Sequence, residues 1–284
     1  MENDQKAQQH EYRILGLSRS GNHAVINWVI SQLEGEYVFL NCTEPKHNPF
    51  LTCRPLALEG DSYLTNKPDF DLEKEQKGSL TIKDYLIYNH EDSFLGSLNS
   101  AAQQKARTQW VGQSKLQKDV LILRDPFNLF ASRIKAGLIR GHYTHHGARP
   151  ISTLTLKRIY KQHAHEFLGN RKNLKNKILV NFNLWTSNMS YREDLARQLD
   201  IPFRDSGFTE VPAVAGGSSF DGITFAGKAN EMRLQDRWRA FEDDEEYWKL
   251  FDEEIVDLTE QIFGKIEPVV HYNQSLRVSK EAEE

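Results

Sequence analysis

The sequence predicts an α/β protein with three layers, in which helices cover both faces of a central, mainly parallel sheet. Short runs rich in β-branched and aromatic residues alternate with segments of helical spacing, as in proteins that link parallel strands through helices. The 284 residues are 39% hydrophobic and 27% charged, which supplies enough apolar material for a sizeable core. Disordered, collagen-like and coiled-coil architectures are therefore excluded.

Each element of the predicted fold follows from local composition and spacing. Strand composition is found at residues 12–17, 36–40, 85–88, 120–123 and 177–180. Helical spacing is found at about 21–33, 126–137, 152–168, 189–199 and 244–263. Pro126 suits the first turn of its helix, with Asp125 as the cap. The polar stretches 43–79 and 204–230 are expected to be binding loops or lids.

The chain is expected to form one domain over residues 10–272, with flexible tails at 1–9 and 273–284. The sequence has no Gly/Ser-rich or Pro-rich linker that would mark a second boundary. It has no apolar run near the roughly 20 residues that a membrane span needs, and residues 1–10 are polar, so a cytoplasmic protein without membrane contact is expected.

Charge and metal-ligand patterns exclude several other classes. The formal charge of −4 argues against a nucleic-acid partner. Cys42 and Cys53 have neither disulfide-framework nor zinc-site spacing. His142, His145 and His146 cluster without a matching cysteine or carboxylate, so we interpret them as part of a surface or acceptor-binding loop, and no metal is expected.

A glycine-bounded loop joins the first strand to the first helix. It reads Gly-Leu-Ser-Arg-Ser-Gly from Gly16 to Gly21, and a loop of this kind before a helix can bind a phosphate through backbone N–H groups. A nucleotide triphosphatase would continue with Lys and Ser or Thr, but Asn22 and His23 stand there. The loop therefore predicts a donor held by its 5′-phosphate without Mg²⁺, with Arg19 as the local cation. An ordinary strand-to-helix turn is the alternative.

A second motif begins where the strand at 120–123 ends. Arg124-Asp125-Pro126 follows the strand, and Ser132 lies eight residues after the arginine, about two turns into the next helix. A guanidinium at the carboxyl end of a strand faces the crevice where open α/β sheets bind ligands, and a nearby hydroxyl suits a phosphate dianion. The alternative is that Arg124 pairs with a carboxylate at the edge of the sheet.

Together the two motifs resemble the sulfotransferase family, which uses 3′-phosphoadenosine 5′-phosphosulfate as donor and has a fold like that of P-loop nucleotide-binding proteins. Arg19-Ser20-Gly21-Asn22-His23 is similar to the family's loop for the 5′-phosphosulfate, with arginine where lysine is usual. Arg124 and Ser132 match the spacing of its 3′-phosphate element. The resemblance extends from about Tyr12 to Phe263 and implies that these residues bind the donor.

The resemblance is weaker in the C-terminal part of the chain. Gly216-Gly217-Ser218-Ser219-Phe220 and Arg237-Trp238 resemble the family's last donor loop and the tryptophan after it, but the Arg-Lys-Gly triplet is missing. Lys228 and Arg233 are the available substitutes in donor binding. Ala24 occupies the place of the aromatic residue that stacks on adenine, so Trp28, Phe182 or Trp185 is expected to replace it.

The candidate catalytic base lies after the strand at 85–88. Transfer to a hydroxyl needs a group that accepts the acceptor's proton, and His90 and Glu91 are adjacent there. His90 is preferred because an ordinary imidazole titrates near neutral pH, and Glu91 is the second candidate. A polar loop without catalytic function is the alternative.

These observations predict transfer of a sulfuryl group from the adenylated donor to a hydroxyl or amine, with Arg19 and either His90 or Glu91 as catalytic residues. A small-molecule or carbohydrate acceptor is expected, because Tyr143, His145, His146 and Arg149 suit a polar ligand. Two alternatives remain: a P-loop nucleotide or small-molecule kinase, and a nucleotide-binding module without turnover. The identity of the acceptor and the oligomeric state stay open.

Overall fold

One six-stranded sheet organises the chain in a computed structural model that describes residues 6–56, 60–96, 98–139, 151–212 and 217–281. The strands are β1 (Lys6–Gly16), β2 (Tyr37–Leu40), β3 (Tyr63–Thr65), β4 (Lys83–Glu91), β5 (Gln113–Leu123) and β6 (Lys177–Asn181). Their order is β3-β2-β4-β1-β5-β6, and all neighbours are parallel except the β2–β3 pair. The predicted mainly parallel sheet is confirmed.

Helices lie on both faces of this sheet. They are α1 (Asn22–Gln32), α2 (Pro49–Thr52), α3 (Leu72–Gln76), α4 (Ala101–Val111), α5 (Pro126–Lys135), α6 (Thr153–Phe167), α7 (Phe182–Ser187), α8 (Met189–Leu199), α9 (Glu245–Trp248), α10 (Glu253–Phe263) and α11 (Glu267–Glu281). Short 3-10 helices occupy Ala229–Glu231 and Arg237–Phe241. No helix among these described segments is long and apolar enough to cross a membrane.

The alternation of side chains along the central strands separates two core layers. On one face, Tyr12 and Ile14 of β1 join Ile87 of β4 in a cluster that includes Val25 and Trp28 of α1. The opposite face carries a separate cluster, in which Leu86 and Tyr88 of β4 pack with Val111 of α4. Because successive side chains of a strand point to opposite faces, neighbouring residues at the end of β4 also face different layers.

Some elements differ from the expectations. The helix expected at 244–263 is two helices, because the Asp252 side chain accepts the Ile255 N–H at 3.1 Å and caps α10. The loop expected at 43–79 contains α2, β3 and α3, and α4 was not expected. Regular structure also extends beyond 10–272: β1 begins at Lys6, and α11 reaches Glu281, with Val269 buried against the core.

The sheet order determines where a site can form. β1 lies between β4 and β5, and Gly16 at the end of β1 is paired with Glu91 at the end of β4. β5 ends at Leu123, directly before Arg124. The loop after β1, the end of β4 and Arg124 therefore lie at the carboxyl edge of the three central strands, where parallel α/β sheets bind ligands.

Candidate functional site

The loop between β1 and α1 has the backbone geometry of an anion site. Gly21 precedes α1 with a φ of 87°, and no side chain caps the helix, so its first N–H groups stay available to a ligand. A Cβ on Gly21 would lie 2.1 Å from the Phe182 ring, and one on Gly16 would lie 2.3 Å from Asn22 Oδ1. Both positions therefore require glycine. Ser20 Oγ and Asn22 Oδ1 are buried without a hydrogen-bond partner among the described residues.

Arg19 lies within this loop in a left-handed conformation, with a φ of 74°. Its Nε donates to Ser219 Oγ at 2.5 Å, and its Nη2 donates to the Gly217 carbonyl at 3.3 Å. Burial lowers the pKa of Arg19, and nearby Glu91 opposes that effect. The guanidinium is thus held at the wall of a cavity by neutral partners.

Arg124 and Ser132 are in direct contact. Arg124 Nη1 donates to Ser132 Oγ at 3.1 Å and to the Arg19 carbonyl at 3.2 Å, while Nη2 donates to the Leu234 carbonyl at 2.6 Å. Arg124 is 4% exposed, and no described carboxylate forms an ion pair with its guanidinium. Burial lowers its pKa to about 9; the neighbouring Asp125 carboxylate opposes that effect without pairing with the guanidinium, and Arg237 and Arg19 add to it. A buried cation without a paired anion favours an anionic ligand.

Two further arginines raise the positive potential here. Arg133 pairs with Asp92 at 2.8 Å, and Arg237 pairs with Asp221 at 2.7 Å. Both guanidiniums lower the pKa of Arg19, after the larger effect of burial. The sequence analysis did not identify Arg133 as part of the site, although it directly follows Ser132. Its carboxylate partner is distant in sequence, so no local pattern indicated the pair.

The two candidate bases lie on opposite faces of β4. Glu91 lines the cavity, and its Oε1 accepts a hydrogen bond from Asn22 Nδ2 at 2.7 Å. His90 faces the other layer, where it is 5% exposed and its Nδ1 donates to the Thr43 carbonyl at 2.9 Å. Burial lowers the pKa of His90 to about 3. The geometry thus brings Glu91, and not His90, to the loop between β1 and α1.

A cavity of about 680 Å³ joins these groups. Phe182 and Trp185 line one part of it with stacked rings, 5.6 Å between centroids, and Phe208 meets Trp185 edge-on at 5.3 Å. Of the three aromatic residues expected to contact adenine, Phe182 and Trp185 therefore lie in the cavity wall. Trp28 is fully buried in the core below.

The remaining residues that were predicted to bind the donor do not all line the cavity. His23 lines the cavity, with Nε2 2.8 Å from Asn41 Oδ1, and exposed Arg233 lines it as well. Lys228 is exposed and is not among the described residues of the wall. Residues 140–150, which include the histidine cluster, and Gly216 are outside the described residues. Within the described ranges, no group of three His, Cys, Asp or Glu side chains could hold a metal ion.

Of the comparisons with known proteins, only the one with solved structures found similar proteins. No protein-family model and no curated protein matches the sequence. The sulfotransferase domain of the Synechococcus PCC 7002 olefin synthase is 12% identical, with 92% of this chain and 97% of that chain covered and a TM-score of 0.47. Mouse sulfotransferase SULT7A1, solved in complex with PAP, is 11% identical, with 95% and 90% covered and a TM-score of 0.42. The function is therefore argued below from the site itself.

Proposed function

We propose that the protein transfers a sulfuryl group from 3′-phosphoadenosine 5′-phosphosulfate to a hydroxyl or amine of an acceptor. The observation that carries this proposal is the buried, unpaired Arg124 guanidinium, which contacts Ser132 and the backbone of the loop at Arg19. The phosphate loop of this proposal consists of residues 16–21 together with the first N–H groups of α1. One phosphate would bind to the loop N–H groups, and a second would bind to Arg124 and Ser132. A nucleotide with phosphates on both its 5′ and 3′ oxygens has that arrangement.

Each step of the transfer has a candidate group. The bond between sulfur and the oxygen that bridges to the 5′-phosphate breaks, and a bond forms between sulfur and the acceptor atom. Negative charge then grows on the leaving phosphate, where Arg19 and the loop N–H groups stabilise it. The acceptor's proton goes to Glu91, which lies in the cavity wall beside the loop. Lys228 and Arg233 remain candidates for further donor contacts, with Arg233 at the wall.

The site disfavours the kinase alternative. Asn22 stands where a P-loop kinase has the lysine that contacts the terminal phosphates, and its side chain is bound to Glu91. His23, in the place of the hydroxyl residue that binds Mg²⁺, contacts Asn41 instead. Mg²⁺-dependent ATP binding would select the kinase, and donor binding without transfer to any acceptor would select a nucleotide-binding module.

The first experiment measures which phosphates are recognised. Isothermal titration calorimetry without Mg²⁺ should show tighter binding of adenosine 3′,5′-bisphosphate than of adenosine 5′-phosphate. Arg124→Ala should weaken binding of the bisphosphate about 10- to 150-fold, because a hydrogen bond to a charged group contributes roughly 1.5–3 kcal/mol. The same variant should change binding of the 5′-phosphate far less. Equal losses for the two ligands would reject the assignment of Arg124.

The second experiment tests transfer itself. Incubation with ³⁵S-labelled donor and a library of small hydroxyl, amine and carbohydrate acceptors should yield a labelled product, with slower release of inorganic sulfate when water is the acceptor. His23, Asn41 and Glu91 give the wall beside the loop a polar character that suits such acceptors. Tight bisphosphate binding with neither product would leave the protein as a binding module.

A further inference from the structure

Asn22 connects the phosphate loop to the candidate base. It is the first residue of α1 and is 3% exposed. Its Nδ2 donates to Glu91 Oε1 at 2.7 Å and to the Leu17 carbonyl at 3.1 Å. Its side chain lies against Gly16, where any larger residue would collide with it. The amide is therefore fixed on three sides, by the loop, by β1 and by the end of β4.

This contact restricts how the Glu91 carboxylate can turn. Oε1 is held by Asn22, while Oε2 has no hydrogen-bond partner in the part of the chain that the structure describes. A base needs one oxygen free to accept a proton and a fixed orientation that brings this oxygen to the acceptor. The neutral amide meets both needs, because it donates a hydrogen bond without neutralising the carboxylate as a lysine in the same place would.

We propose that Asn22 is a positioning residue for the base: its side chain orients Glu91 so that Oε2 faces the acceptor, while its backbone N–H remains part of the phosphate loop. This inference rests on the proposed function, in which Glu91 takes the acceptor's proton. It adds a separate role for the Asn22 side chain, which would act through Glu91 and not through contact with the donor.

The test is a double-mutant cycle that combines Asn22→Ala with Glu91→Gln, with inorganic sulfate release from ³⁵S-labelled donor as the readout. We expect Asn22→Ala to lower the rate about 10- to 100-fold, as a misplaced catalytic group does. In the Glu91→Gln background the same change should lower it less than about 2-fold, because the base is already lost. Affinity for adenosine 3′,5′-bisphosphate should stay within about 3-fold in every variant.

Asn22→Asp supplies a second readout, which reports whether the group that titrates in the rate profile lies against residue 22. It keeps the side-chain shape but places a carboxylate against Glu91, and two like charges at this distance resist ionising together. Arg19 on the loop and Cys42 after β2 also interact electrostatically with Glu91, and His23 lines the same wall. The acid limb of the rate profile should therefore shift to higher pH by about one unit or more, whereas Asn22→Ala, which only removes a neutral donor from the carboxylate, should shift that limb in the same direction by less.

Several outcomes would overturn the inference. Additive losses in the cycle or a large loss of bisphosphate affinity in Asn22→Ala would make Asn22 a structural or donor-binding residue. An unshifted acid limb in Asn22→Asp would show that the titrating base does not lie beside residue 22, so that Asn22 could not position it. A crystal structure of Asn22→Ala with the bisphosphate gives an independent test, since Glu91 should leave its present position. If the wild-type protein releases no sulfate to water or to any acceptor, the proposed function fails first. If it does and the losses are additive, only the role of Asn22 fails.

Discussion

Arg133 and Asp92 form a buried ion pair that binds both backbone polar groups of Ser18. Arg133 Nη1 lies 2.8 Å from Asp92 Oδ1 and donates to the Ser18 carbonyl at 3.0 Å. Asp92 Oδ1 also accepts the Ser18 N–H at 3.0 Å. Asp92 itself has a left-handed backbone with a φ of 51°. Arg133 of α5 and Asp92, directly after β4, thereby fix the first part of the loop between β1 and α1, one residue before Arg19.

The first prediction concerns this pair. Arg133→Met should lower the free energy of unfolding by about 3–5 kcal/mol, because it leaves the largely buried Asp92 carboxylate without its charged partner. Urea denaturation measures the change. Arg197→Met is the control, since Arg197 and Asp194 form an ion pair that is largely exposed and should contribute about 0–1 kcal/mol. Similar losses in the two variants would show that burial does not determine the strength of the Arg133 pair.

The second prediction separates the two candidate bases. Glu91→Gln should lower the transfer rate about 100- to 10,000-fold with donor affinity nearly unchanged, because a base acts in the transition state. His90→Gln should retain most of the rate, since His90 faces the opposite layer and donates to Thr43. Steady-state transfer rates of the two variants, measured with labelled donor, test this difference. A rate lost in His90→Gln and kept in Glu91→Gln would restore His90 as the base.

The third prediction uses two glycines of almost equal conformation. Gly21 and Gly78 have φ values of 87° and 84°, but a Cβ on Gly78 would have no neighbour within 4 Å. Gly78→Ala should therefore cost only backbone strain, about 1–2 kcal/mol. Gly21→Ala adds a collision with Phe182 and should lower the free energy of unfolding by about 1–3 kcal/mol more than Gly78→Ala does. It should also abolish binding of the bisphosphate. Thermal unfolding and calorimetry measure both effects, and equal losses would contradict the collision.

The fourth prediction is a pH dependence of stability that arises from His90. Burial lowers its pKa from 6.5 to about 3 in the folded protein, so between these values the unfolded chain binds a proton that the folded protein does not. The free energy of unfolding should therefore fall as pH decreases below 6.5, by about 1.4 kcal/mol per pH unit from this residue. His163, whose pKa burial lowers to about 4, acts in the same direction.

The measurement compares urea unfolding of wild type and His90→Gln between pH 7 and pH 4.5. The free energy of unfolding of the variant should fall less steeply as pH decreases, because one fewer proton is taken up on unfolding. This difference in slope is expected even if the variant is less stable at pH 7 because of the lost bond to Thr43. Parallel curves for the two proteins would mean that His90 does not resist protonation in the folded state.

Local sequence patterns predicted the parts of the site that depend on neighbouring residues. The glycine spacing predicted the loop from Gly16 to Gly21, and helical spacing predicted that Ser132 lies beside Arg124. The choice between His90 and Glu91 depends on which face of β4 meets α1, and a strand buried on both faces has no polar side to reveal it. Asp92 and Arg133 meet only through the order of the strands, so their pairing had no local signal.

The central position of β1 has a consequence for folding kinetics. Asn22 and Glu91 are 69 residues apart in the chain, and Arg19 and Arg124 are 105 apart, so their contacts require β1 to pair with both β4 and β5. Contacts between such distant segments are costly in loop-closure entropy, so we expect them to form late in folding. If the proposed function holds, the nucleotide donor should bind only after the folding barrier has been crossed. It should slow unfolding in proportion to its affinity and leave the refolding rate almost unchanged.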